Sequence, residues 1–374
     1  MLTAPTLRFA LFASASAATI SVLMAFWPLW LTSRGLDATE IGVLGAVGLW
    51  TRVAATPLLG MLADRSGKPR LVMLLLAGAS LAISGLYIPA YGFLPVLAIS
   101  TAFGTCFWTL GPLAESAILQ AAVDYGRVKI WGSGTFLVMT VAIGRVLVAA
   151  PRDTLLSLLL AGGGLVLAAA WLLPPSTGTT QRHDPGGWRL LLHPRQMLFF
   201  AAAALIQASH VVYYSFSALY WRDLGYDTDT IGWLWAEGVV AEIMLFYWSG
   251  HLLRRVRPTH LIALGGIAGV VRWTTLATAT SLPALAAVNF LHGFTFASAH
   301  VGAMFYLLRN TPRAHAGTAQ SLYTTAQCIG FGLVWLFSGA LYEAVGGSAF
   351  LAMAGMAAAG AAAALFLSRL ATNS

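Results

Sequence analysis

Charge is what this 374-residue sequence holds least of: Asp, Glu, Lys and Arg together make up 9% of it, against roughly 25% in an ordinary soluble domain. That scarcity excludes a water-bathed globular surface, which needs interspersed charge to stay dissolved. Acids are rarer than bases, 13 against 21, for a formal net charge of +8. The bases are strewn through short connecting stretches and form no single patch, which argues against nucleic acid as a partner. Cysteine is almost missing. Cys106 and Cys328 each sit inside an apolar run, with no metal-ligand spacing and no disulfide framework, and read as small packing residues. A zinc-protease helix motif, a nucleophile elbow and a phosphate-binding glycine loop are all lacking. Neither an enzyme nor an ATP-driven pump is therefore expected, and no cofactor or metal.

What fills the chain instead is apolar: 58% of residues are hydrophobic and the mean hydropathy is +0.77. Runs of this kind, broken by short polar or Gly/Pro stretches, predict twelve spanning helices near 9–32, 39–63, 70–91, 94–119, 130–150, 154–173, 197–221, 230–253, 259–280, 284–308, 315–342 and 347–368. Each is close to the roughly 20 residues a bilayer requires. The first run resembles a secretory leader, but it is too long for one and has no polar cleavage region, so it is expected to stay as helix 1. Pro174 to Arg195 is Pro/Gly/Thr-rich and carries Arg182, His183, Asp184 and Arg189. It reads as a cytoplasmic linker over 174–195 between six-helix bundles at 1–173 and 196–374. With the N-terminus inside, inner segments hold most of the Arg and Lys, while outer loops hold only Arg34, Arg152 and Arg222. That asymmetry places both termini in the cytoplasm. The expected class is an all-α, multi-pass membrane protein.

The halves repeat. A shift of 190 positions lays Gly35–Gly48 on Gly225–Gly238, with identities at Gly35, Asp37, Ile41, Gly42, Leu44, Ala46 and Gly48, and carries Arg52 onto Glu242. Two bundles of the same orientation are the mark of a parallel-repeat transporter. Between helices 2 and 3, Gly60, Asp64, Arg65, Gly67 and Arg70 form a candidate cytoplasmic gate motif. Its glycines permit a tight turn with close helix contact, and its basic residues face anionic lipid.

Four further stretches carry a family resemblance: Asp124 to Ser133, Tyr213 to Trp221 with Gly232 to Glu242, Gly269 to Trp273, and Leu291 to His300. They resemble the phenylpropionate permease family of the major facilitator superfamily, over most of the chain, while the gate motif resembles the signature loop of the superfamily and is fuller than that of the phenylpropionate carriers. The resemblance implies the major facilitator fold, a bacterial inner-membrane location and a monomer. It also implies proton-coupled uptake of a small organic acid through a central cavity lined by helices 1, 4, 7 and 10. Export, or symport of a sugar or nucleoside, is the alternative on the same fold, and an integral-membrane enzyme a remote one.

Ionisable groups at membrane depth cost about 2.5–3.5 kcal/mol each on insertion scales, so each needs a reason. Arg52, Glu115, Glu237, Glu242 and Arg272 are the candidates for proton coupling or buried charge, and Arg145 lies at similar depth. Glu242 and Arg272 sit about equally far from one cytoplasmic turn. They are expected to meet, either as a fixed packing pair or as a coupling carboxylate held by a cation. Glu115 is the acid nominated for Arg52. Polar-aromatic stripes run through Trp108 on helix 4, Gln207, His210 and Tyr214 on helix 7, and His292, Phe296 and His300 on helix 10. Lipid disfavours such stripes, which makes these seven the substrate-cavity candidates. Singly, each also reads as an interhelical hydrogen bond. Trp30 and Trp221, at helix ends, read as interfacial anchors.

Overall fold

The structure, a computed structural model, describes residues 4–121, 123, 125–174, 193–311 and 316–372. The described residues form twelve helical rods: α1 (Ala4–Ser33), α2 (Ala38–Ser66), α3 (Pro69–Gly85), α4 (Phe93–Gln120), α5 (Tyr125–Val146), α6 (Thr154–Leu172), α7 (Pro194–Asp223), α8 (Thr228–Arg255), α9 (Pro258–Thr278), α10 (Leu282–Asn310), α11 (Ala316–Val345) and α12 (Ala349–Thr372). Eight described stretches are long and apolar enough to cross a membrane, one of them running through α11 and α12 together. The other rods fall short for physical reasons. Charged residues interrupt α5 and α8, and α3 ends at Gly85, earlier than its apolar run, in consecutive turns up to Ala90. Most of the 174–195 linker lies outside the described residues.

Two compact units emerge, Met1–Gln181 with Trp221–Trp233, and Arg182–Tyr220 with Leu234–Ser374. In the first, α1 packs on α5 and α6, α3 on α4 and α6, and α2 on α4. In the second, α7 packs on α11 and α12, and α9 on α10 and α12. Four of the five pairings recur once six is added to each helix number, so the repeat in sequence is a repeat in packing.

The repeat extends to single hydrogen bonds. Gly35 and Gly225 both have positive φ, +86° and +90°, a conformation that glycine adopts without steric cost. At these turns the Leu36 N–H reaches back to Leu31 O (3.2 Å) and the Tyr226 N–H to Trp221 O (3.0 Å), closing the helix ends in the Schellman manner. Asp37 then caps α2 by accepting from the Glu40 N–H at 2.7 Å, and Asp227 caps α8 by accepting from the Thr230 N–H at 2.8 Å.

Lipid is as apolar as leucine, so packing inside a membrane depends on small residues that let backbones approach. A Cβ on Gly266 would stand 2.7 Å from Ala357 O, one on Gly269 2.9 Å from Ala357 Cβ, and one on Gly265 2.8 Å from Ala299 Cβ. Glycines thus clamp α9 between α12 and α10. In the first unit Gly162 receives Thr19, and Gly144 on α5 faces Gly232 at the start of α8, where a Cβ on Gly144 would come 3.2 Å from Gly232 Cα. Beside that contact Arg145 Nη1 meets Asp229 Oδ2 at 3.1 Å. Large apolar side chains such as Leu75, Leu94, Ile130, Leu308 and Phe337 are exposed, as a lipid-facing surface requires.

Candidate functional site

Within the second unit, two helices lose regularity at the same place. At Ser209–His210 α7 slackens, and the His210 N–H bonds Gln207 O (3.1 Å) in place of the usual carbonyl four residues back. From Gly293 to Ser298 α10 widens into a π-turn, a distortion that recurs at functional sites. Glycines then bring α10 hard against α8. A Cβ on Gly293 would stand 2.5 Å from Ala241 O, and one on Gly238 3.2 Å from His292 Cβ. His292 is thereby pressed against Glu242.

Arg272 of α9 occupies the centre and is 0% exposed. Its Nη1 donates to His292 Nδ1 at 2.9 Å and to Thr295 Oγ1 at 3.3 Å, and its Nη2 donates to Asn289 Oδ1 at 2.9 Å. The guanidinium carbon lies 4.3 Å from the centre of the Tyr213 ring and 4.7 Å from that of Trp273, cation–π contacts that partly replace lost hydration. Among the described residues no carboxylate lies within ion-pairing distance of it. Its direct hydrogen-bond partners are all neutral, and the Glu237 carboxylate acts on it only from beyond contact.

A guanidinium can only donate, so His292 Nδ1 accepts and the ring proton sits on Nε2. That nitrogen is 3.5 Å from Glu242 Oε2. A second chain runs the other way. His210 Nδ1 faces the Ile206 and Gln207 carbonyl oxygens at 3.2 and 3.1 Å, which only accept, so it carries the proton. Its Nε2 is left to accept from the Thr295 hydroxyl at 3.0 Å, with His292 O an alternative acceptor for that hydroxyl at 3.2 Å. Arg272, His292 and Glu242 form one directed relay, and Arg272, Thr295 and His210 another.

The expected Glu242–Arg272 meeting is therefore corrected: the two are not in contact, because the π-turn of α10 swings His292 between them. Six of the seven cavity candidates gather here. Gln207 Nε2 donates to Phe296 O at 3.4 Å. Tyr214 stacks on His210 with centroids 5.7 Å apart, and His292, Phe296 and His300 form a ladder with steps of 5.6 and 6.1 Å. Glu237 stands half-buried on α8 next to the Gly238 contact. The seventh, Trp108, belongs to the first unit, where the Arg52 guanidinium lies 4.9 Å over its ring.

Other expectations change. Glu115 is half-exposed and pairs with Lys129 at 2.5 Å, five residues before α4 ends at Gln120. Arg145 is 76% exposed at its Asp229 pair, in the last turn of α5. Trp30 and Trp221 are fully buried; Trp30 stacks on Trp27 at 4.3 Å and meets the Tyr87 ring edge-on, so neither is an interfacial anchor. In the gate motif, Gly67 takes positive φ (+61°) at the α2–α3 turn, and Arg70 donates to Trp171 O. Arg65 is exposed, and among the described residues no atom comes within 4 Å of a Cβ on Gly60, which removes the close helix contact expected there. The Asp64 side chain lies outside the described residues.

Thr295, which joins Arg272 to His210, and Tyr213 are marked in the sequence only as parts of family stretches. Thr295 sits three residues after His292, a helical step that a search for partners of Arg272 would have reached. The unit also holds an apolar cleft of about 450 Å³ between α7, α11 and α12, lined by residues such as Phe200, Ala204, Ile329 and Leu333. It shares no residue with the polar cluster.

Known proteins place this geometry in context. The chain is 29% identical over 345 residues to the probable 3-phenylpropionic acid transporter of Escherichia coli (strain K12), an alignment covering 89% of this chain and 90% of that one. Its fold matches a solved nucleoside transporter, NupG, with a TM-score of 0.84 at 14% identity, covering 97% of this chain and 98% of the other. It also matches a bacterial homolog of the human lysosomal transporter Spinster, in an inward-facing and unoccupied conformation, with a TM-score of 0.72 at 14% identity over 97% and 94% of the two chains. The model of the MFS_1 like family matches residues 8–352. The chain belongs to that family, and is a multi-pass secondary transporter of the major facilitator fold.

Proposed function

We propose that the protein imports a small aromatic or amphipathic carboxylic acid together with protons, by alternating access, across a bacterial inner membrane with both termini in the cytoplasm, as a monomer. The observation that carries this reading is the Arg272 guanidinium, wholly buried and held by His292, Thr295 and Asn289, none of them an anion. With no carboxylate in direct contact among the described residues and Glu237 acting only from a distance, such a cation is an electrostatic receptor for a carboxylate. Tyr213, Tyr214, Trp235 and Phe296 lie around it within ring-contact distances of one another or of His210 and His292, a lining suited to an aromatic body. The name of the Escherichia coli relative supports the same substrate class.

Coupling follows from the proton inventory. While Arg272 donates to His292 Nδ1, that nitrogen can hold no proton. A substrate carboxylate that draws the guanidinium onto itself frees Nδ1, and the imidazole can then take up a proton and pair, as imidazolium, with Glu242. One anion and at least one proton thus enter together, and departure of the substrate restores the Arg272–His292 bond and expels the proton.

Proteoliposomes with an imposed inward proton gradient test the reading. Accumulation of a labelled arylpropionate, collapsed by a protonophore and competed by other aromatic acids but not by nucleosides or sugars, is the expected result. Gradient-independent flux, or preference for a nucleoside, would overturn it.

A further inference from the structure

Far from the Arg272 cluster, at the ends of α9 and α12, a pocket of about 270 Å³ is lined by Arg257, His260, Leu365, Ser368 and Arg369. Its composition is unusual for this chain. Two arginines and a histidine converge from two helices, with no acid in the lining, in a protein where charge is rare. The two helices cannot easily spread, because Gly266 and Gly269 of α9 lock against Ala357 and Ala361 of α12, which fixes the spacing of the backbone segments that carry the two arginines. The imidazole is held as well: His260 Nε2 lies 2.9 Å from the buried Ser368 Oγ. On one side the wall is Leu365, exposed like its neighbour Phe366. Basic groups thus adjoin exposed apolar ones.

We propose that this pocket binds a phosphate group, and that its occupant is the headgroup of an anionic phospholipid, with Leu365 against the first methylenes. Arginine forks match phosphate oxygens, and a basic pocket between spanning helices on the charge-rich face suits an anionic headgroup. The assignment is independent of the substrate reading above, since the pocket shares no residue with the Arg272 cluster.

The test uses the purified full-length protein in neutral detergent, following its melting temperature while a short-chain phosphatidylglycerol, a short-chain phosphatidylcholine or inorganic phosphate is added. Phosphatidylglycerol should raise the melting temperature and phosphatidylcholine should not. Arg257→Gln and Arg369→Gln should each weaken the phosphatidylglycerol response about fivefold, from roughly one surface arginine's share of lipid attraction, while melting normally without lipid. Arg369→Lys, which keeps the charge, provides a well-folded comparison if a glutamine variant melts early, and should retain more of the response than Arg369→Gln. Stabilisation by inorganic phosphate equal to that by the lipid, and lost in the same variants, would support the phosphate site but overturn its lipid occupant. Equal responses to the two lipids, or a phosphatidylglycerol response untouched by the substitutions, would overturn the site itself.

Discussion

Arg272 Nη1 donates to His292 Nδ1 at 2.9 Å, and this one bond decides which edge of the imidazole is turned to Glu242. The three residues come from α9, α10 and α8 and act as one unit. Loss of any member should therefore have an effect that depends on what the other two are left holding.

For Glu242, the substitution Glu242→Gln keeps the shape and removes the proton site. Gradient-driven accumulation should vanish while substrate binding or exchange stays measurable. Uptake of the variant at the wild-type level would assign the carboxylate a packing role only.

For Arg272, lysine keeps the charge and loses the fork. A single ammonium cannot serve His292 and Asn289 as two separate guanidinium nitrogens do. Arg272→Lys should lower stability by about 1–3 kcal/mol, the usual cost of leaving a buried polar group unsatisfied, and raise KM at least tenfold. Unchanged melting together with unchanged KM would rule out the receptor role.

Two glycines make a matched pair for testing the α8–α10 crossing. Alanine at Gly293 would place a methyl 2.5 Å from Ala241 O, whereas at Gly355 on α12 it would meet open space. Gly293→Ala should cost about 1–3 kcal/mol through overpacking and impair transport by moving His292. Gly355→Ala should be neutral, or stabilising by about 0.5–1 kcal/mol, since it removes backbone freedom inside a helix. Similar melting temperatures for the two variants would contradict the geometry.

The turn before α8 makes a prediction about pH. The Thr230 backbone N–H, then its hydroxyl, hold the Asp227 carboxyl below the usual carboxylate range, and Arg145 adds to the effect. A folded pKa below the unfolded one contributes stability that is complete above the unfolded value, about 3.9, and is lost as pH falls through the folded one. Asp227→Ala should cost about 1 kcal/mol at neutral pH through loss of the cap. Asp227→Asn, which can still accept the cap hydrogen bond, should melt near wild type at neutral pH. Its melting temperature should fall less than the wild type's on acidification below about pH 4.

Much of the fold was legible because a bilayer imposes few options. Long apolar runs, sparse bases and the Gly35/Gly225 repeat each follow from one strong rule, and all three agree. The site was legible only in part. His210, His292, Glu242 and Arg272 stood out as polar groups in hydrocarbon, but their connections did not, because the π-turn at Gly293–Ser298 shifts the helical register on which residue spacing depends. Depth was the other weak point. Counting from helix ends put Glu115 inside, though it lies near the end of α4 and pairs with Lys129, and put Trp30 and Trp221 at the surface, though aromatic neighbours or tight packing bury both.

The return of Trp221–Trp233 into the first unit bears on how the chain is made. A ribosome that has released the first six helices has not yet supplied everything that unit contains. Gly232 and Asp229, which close against Gly144 and Arg145, emerge only after α7 has been inserted. Completion of the first unit therefore waits on synthesis of α7 and the start of α8. A nascent fragment stopped at Gln181 should be readily digested by protease, and one extended past Trp233 should resist.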